Sequence, residues 1–113
     1  MAESFLRAHP SETLIFCVKE EGDHHPEFSS RVWQAFQHTD NGALWRFDNT
    51  IPTLGEVRGK GIVFTRFGKE PSAAASEWVQ GMGLQPPSWP NDRKEGFTDQ
   101  GAFGGVDFRC HDW

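Results

Sequence analysis

Three short apolar runs punctuate an otherwise polar chain, and each ends in charge. Residues 13–18 read Thr-Leu-Ile-Phe-Cys-Val and are followed by Lys19, Glu20 and Glu21. Residues 61–66 read Gly-Ile-Val-Phe-Thr-Arg, so that Arg66 stands where the run gives out. Residues 106–110 read Val-Asp-Phe-Arg-Cys and lead into His111, Asp112 and Trp113. Short, nearly unbroken apolar runs bounded by turn residues predict strands of the parallel kind, covered on both faces. Between the first two, Phe28, Val32, Ala35 and Phe36 recur at helical spacing over 27–37, with Pro26 suited to the first helical position. Residues 2–9 predict a short helix stopped by Pro10. Asp40-Asn41-Gly42 predicts a turn, 43–47 a short extended piece, and 53–57 one helical turn.

Strand, helix and strand in alternation predict an α/β fold with parallel strands. Three strands do not distinguish an open sheet from part of a barrel. In either case ligands bind at the carboxyl ends of the strands. Charge at all three strand ends therefore points to one polar site built from strand ends, and a cation such as Arg66 there suits an anionic ligand. There is no glycine-rich dinucleotide fingerprint and no Walker loop. The stretch 67–103 carries Pro71, Pro86, Pro87 and Pro90 and little regular signal, apart from a helical turn over 73–79. A loop of that length is expected to be functional, because Trp78 and Trp89 need something to cover.

With 113 residues the chain has room for one domain. Ten Phe and five Trp supply much of its apolar area. The formal charge of −5 opposes a nucleic-acid partner, whose phosphates call for a basic face. Cys17 and Cys110 fall inside apolar strands and are expected to be buried structural thiols. There is no apolar run of membrane length and no signal-peptide pattern, and compartment stays open. His24 and His25, beside Glu21 and Asp23, match no zinc spacing, and a solvated loop is expected there. His9 and His38 sit at helix ends, where a surface role is expected. The opening helix is too short to be stable alone, and the third run ends almost at the last residue. Both ends read as cut within a larger fold.

Five segments in order carry a resemblance. They are Phe5 to Ile15 (FLRAHPSETLI), Val18-Lys19-Glu20-Glu21, Thr53 to Phe67 (TLGEVRGKGIVFTRF), Ser88 to Asp92 (SWPND) and Phe108 to Trp113 (FRCHDW). Together they resemble the catalytic X-type domain of phosphatidylinositol-specific phospholipase C, of the compact bacterial and fungal kind. The resemblance implies that residues 1–113 are a partial domain of this type. It further implies the middle strands of a (β/α)8 barrel, incomplete at both ends. The family cleaves a phosphodiester between inositol and diacylglycerol. One histidine serves as general base, another as general acid, and an arginine stabilises the phosphorane. Both histidines would lie on earlier strands than any present here, so no catalytic residue is assigned.

The same resemblance places Lys19, Glu21 and Arg66 in the inositol pocket, with Trp89 and Asn91 on the loop lining it and Asp112 accepting hydrogen bonds from inositol hydroxyls. Asn91 stands where some members have aspartate, and Asp92 follows, so which of the two faces the ligand is open. His111 replaces a glutamine. Adjacent strand residues point to opposite faces, which opposes a His111–Asp112 dyad. No cofactor is implied, since compact members work without metal. The implied partner is a phosphoinositide or related phosphodiester head group, at a membrane surface for the full-length parent. Two alternatives stand beside this one. The chain is a non-catalytic polyol-phosphate binding module, or an incomplete gene product without independent function.

Overall fold

The structure is a computed structural model. It describes residues 1–68, 78, 81–86, 93–103 and 106–112, and of the last two ranges only the course of the backbone. The order of elements is helix α1 (Ala2–Ala8), strand β1 (Leu14–Lys19), helix α2 (Phe28–Gln37), a 3-10 turn (Asp40–Gly42), strand β2 (Trp45–Arg46), helix α3 (Leu54–Val57) and strand β3 (Gly61–Arg66). Strands β4 (Arg93–Phe103) and β5 (Val106–Asp112) follow. The fold is mixed α/β, with a three-stranded parallel sheet in the order β1-β3-β2 and a separate pair, β4 and β5.

The central position of β3 follows from its composition. Gly61 to Thr65 are all buried and only Arg66 is partly exposed. Alternation along the strand splits its side chains between two layers. Val63 joins Phe36, Trp45, Phe47, Trp78 and Met82, beneath α2, while Ile62 and Phe64 join Val57 and Leu84 on the opposite face. The α2-side core is largely aromatic. Phe36 meets Trp45 at a ring separation of 4.9 Å and Phe47 at 5.7 Å, both edge to face, the arrangement that ring quadrupoles favour. By contrast β1 lies at the sheet edge, and Ile15, Phe16 and Cys17 are exposed.

After Arg46 the chain leaves the sheet, and residues 82–84 take the vacated place beside β3. The Leu84 amide donates to the Val63 carbonyl at 2.9 Å, and the Thr65 amide donates to the Leu84 carbonyl at 2.9 Å. The buried Thr65 hydroxyl donates to the Met82 carbonyl at 2.8 Å. Gly83 makes this approach possible. Its φ is +80°, and a Cβ there would strike the Val63 carbonyl oxygen.

Three expectations are corrected. The run at 106–110 is a strand, but it pairs antiparallel with β4 and is no part of the parallel sheet; the third parallel strand is the short Trp45–Arg46 piece. The irregular stretch 67–103 contains β4, whose alternation is masked by Gly96, Gly101 and charged residues. Cys17 is exposed, on a strand that has a paired neighbour on only one side among the described residues. Trp78, which the sequence placed on a loop expected to be functional, is 4% exposed and belongs to the aromatic core. Trp89 lies outside the described residues, as does most of the helical turn placed at 73–79.

Candidate anion-binding rim

Strands β1 and β3 run parallel in unbroken register from Leu14↔Gly61 to Lys19↔Arg66. Their last paired residues are therefore the two cations, side by side on adjacent strands about 4.8 Å apart. Alternation assigns the face. Lys19 follows Ile15 and Cys17, Arg66 follows Ile62 and Phe64, and both sets lie on the side away from α2. Glu21 pairs with one of the two cations, its Oε1 at 2.8 Å from Lys19 Nζ. The glutamate side chain is 75% exposed, so the pair is open to competition from a ligand.

The loop beyond β1 is held by Glu20. Its Oε1 accepts the His25 amide at 2.6 Å, and Oε2 lies 3.0 Å from His24 Nδ1. The His25 amide above all, with His24 beside it, holds the Glu20 carboxyl below the usual carboxylate range against the opposing effect of partial burial. His25 Nδ1 in turn accepts the Glu27 amide at 3.2 Å, just before α2 begins. Glu20 and the two histidines thus fasten strand to helix. The expected solvated character holds for His24, whose side chain is 64% exposed. No group of three or more metal-ligating side chains occurs among the described residues.

A second polar cluster escaped the sequence reading. Arg46 Nη2 donates to Asp48 Oδ2 at 2.5 Å and to the Thr50 hydroxyl at 3.0 Å, and that hydroxyl donates to Asp48 Oδ2 at 2.7 Å. Burial pushes the Asp48 carboxyl up, but the bonds from Thr50 and Arg46 outweigh it and leave the group below its ordinary value. A cavity of about 220 Å³ opens beside it, lined by Arg46, Asp48, Glu56 and Lys60. Arg46 is another strand-end cation, and an Asp two residues on was the available signal. Register places it level with Ile62 and so well short of Arg66. Its charge is met locally.

Of the residues singled out in the sequence, the fold brings together Lys19, Glu21 and Arg66. Trp89 and Asn91 lie outside the described residues. Asp112 ends β5, paired with Arg93 in the antiparallel sheet, and its side chain is likewise outside them. No helix among the described residues is long and apolar enough to cross a membrane. No protein-family model, no curated protein and no solved structure matches this chain.

Proposed function

We propose that this chain is a portion of a phosphoric diester hydrolase resembling phosphatidylinositol-specific phospholipase C, and that Lys19, Glu21 and Arg66 are part of its inositol phosphate pocket. The observation that carries the reading is the in-register pairing of Lys19 with Arg66 at the carboxyl ends of two parallel strands. A polyol phosphate needs both donors and acceptors, and two cations with a carboxylate paired to one of them supply both. The barrel part of the reading rests on β1 and β3, parallel neighbours with α2 packed on one face of the sheet. The two-residue β2 departs from it, because it precedes β3 in the chain yet lies on its far side. In a (β/α)8 barrel, consecutive strands stand side by side.

The reaction itself would need a general acid and a general base, which the resemblance places before the first matched segment. On this reading residues 1–113 bind the head group without turning it over. The resemblance would add Trp89, Asn91 and Asp112 to the pocket. The full-length parent works at a membrane surface, without nucleic acid and without a metal supplied by these residues.

Titration calorimetry of the 113-residue chain with inositol phosphate tests the reading. Saturable binding that Arg66→Ala weakens by roughly tenfold or more supports it, that being the scale of a charge-assisted hydrogen bond. Absence of heat, or an Arg66→Ala variant that binds as well, refutes it. Phosphodiester hydrolysis by the chain alone would overturn the assignment of the acid–base pair to other segments.

A further inference from the structure

At the end of the sheet opposite the cationic rim, a cavity of about 350 Å³ opens between the C-terminal half of α2, the 3-10 turn and the residue that leads into β3. Lys60 precedes β3 and Arg66 ends it, so their backbones stand about 20 Å apart along the strand. The lining brings together three polar side chains, Gln37, Asn41 and Lys60, with the ring of Trp33, over a base of Trp45 and Phe47. Trp33 and Gln37 are four residues apart on α2 and so share one of its faces. The base is fixed in the aromatic core, with Trp45 7% and Phe47 3% exposed, and the Trp33 ring packs on Phe47 at a centroid separation of 5.1 Å. Above that base, Trp33 and Gln37 are partly exposed, and Asn41 and Lys60 are exposed. Among the described residues, neither amide nor the Lys60 ammonium has a hydrogen-bond or ion-pair partner. The neighbouring Arg46, Asp48 and Thr50, by contrast, bond to one another.

The chemistry of these groups selects a ligand. A side-chain amide both donates and accepts, as a hydroxyl does, so two amides and an ammonium suit a set of neighbouring hydroxyls. One cation is weak provision for an anion. Asp48 and Glu56 moreover line a second cavity together with the same Lys60, which lowers the local positive potential. A nucleobase would need an open ring face to stack on, and both rings of the base are buried. We propose that this cavity binds one pyranose unit of a neutral saccharide, its hydroxyls on Gln37, Asn41 and Lys60 and its less polar edge against Trp33. The volume stands near the low end of ligand cavities, about 300–1,000 Å³, as a single ring requires. The site shares no residue with the rim of Lys19, Glu21 and Arg66 and does not depend on the function proposed there.

Proton–nitrogen NMR correlation spectra of the full chain, titrated in turn with methyl glucoside, methyl galactoside and methyl mannoside, test this site. At least one glycoside should bind saturably and shift the side-chain amide signals of Gln37 and Asn41 and the indole signal of Trp33. Asn41→Gly and Lys60→Met should each weaken that glycoside roughly threefold or more, the scale of one hydrogen bond. Both positions are exposed, and Asn41 has a positive φ that glycine adopts freely, so neither variant should lower the unfolding midpoint. Saturating inositol phosphate should leave the glycoside titration unchanged, because the rim lies at the other end of the sheet. No shift of these signals with any of the three sugars up to their solubility, or equal affinity in both variants, overturns the proposal. Adenosine or inorganic phosphate shifting the same signals at lower concentration than the glycosides overturns the saccharide class. Displacement of the glycoside by inositol phosphate puts both ligands in one place and overturns the separate site.

Discussion

The indole N–H of Trp78 donates to the main-chain carbonyl of Ser29 at 3.0 Å, joining a residue far along the chain to the first turn of α2. Ser29 is fully buried and Trp78 nearly so. The bond therefore satisfies a polar group that water cannot reach, within a ring cluster of Trp33, Phe36, Phe47 and Phe67.

Trp78→Phe keeps most of the apolar area and removes the donor. It should cost about 0.5–1.5 kcal/mol, the net worth of one hydrogen bond, because the Ser29 carbonyl lies inside α2 and keeps its helical partner. Trp78→Ala should cost about 3–5 kcal/mol, because a cavity is added. Denaturant midpoints of the two variants check the order. A Trp78→Phe variant as stable as the parent would remove the Ser29 bond from the account.

Gly83 and Gly55 predict opposite responses to the same substitution. At Gly83 the positive φ alone makes Gly83→Ala unfavourable by about 1–3 kcal/mol, and the approach to the Val63 carbonyl adds to it. At Gly55, inside α3, an added Cβ meets nothing within 4 Å. Gly55→Ala should therefore stabilise by about 0.5–1 kcal/mol through the lowered entropy of the unfolded chain. Thermal unfolding of the pair compares a site made by tertiary approach with one governed by local propensity.

Glu21→Gln separates a polyol pocket from a bare anion site. Loss of the carboxylate releases Lys19 from an exposed ion pair, worth little in itself, so inorganic phosphate should gain about twofold to fivefold. Inositol phosphate should instead lose roughly threefold or more, because the neutral amide oxygen accepts hydroxyl hydrogen bonds more weakly than the carboxylate. A gain for both ligands would place Glu21 outside the polyol contacts.

Acid should unfold the protein through a defined set of carboxylates. Bonds from the Thr39 side chain and the Trp45 indole lower the Glu3 carboxyl, the His25 amide lowers Glu20, and the Thr53 amide and hydroxyl lower Glu56. Asp48 is lowered too, by Thr50 and Arg46 against the effect of burial. Each of these groups binds a proton more readily unfolded than folded. Their contribution is thus complete above the ordinary carboxylate range, about pH 4, and is lost as pH falls through the lower folded-state values. The midpoint temperature should hold from pH 7 to about 5 and fall steeply below about 4. Glu56→Gln, which keeps an acceptor oxygen for the two bonds at the start of α3 but removes the titrating carboxylate, should flatten that fall. A pH profile unchanged by it would exclude Glu56 from the acid response.

What could be read in the chain were the features set by neighbours in sequence. The apolar runs gave β1 and β3 almost to the residue, and helical spacing with Pro10 and Asp40-Asn41-Gly42 located α1, α2 and the turn. Strand-end charge picked out Lys19 and Arg66. Pairing was another matter. The run at 106–110 reads as locally strand-like as β3, and only its meeting with β4 makes it antiparallel. Cys17 is as apolar in context as Val63, yet one is exposed and the other buried, because β1 has a neighbour on one side and β3 on both. Propensity and periodicity act over a few residues and determine what each segment can become. Which edge stays open, which face is covered, and whether two distant cations end up level depend on long-range hydrogen bonds and packing. Those contacts join residues tens of positions apart, and tertiary structure alone brings them together.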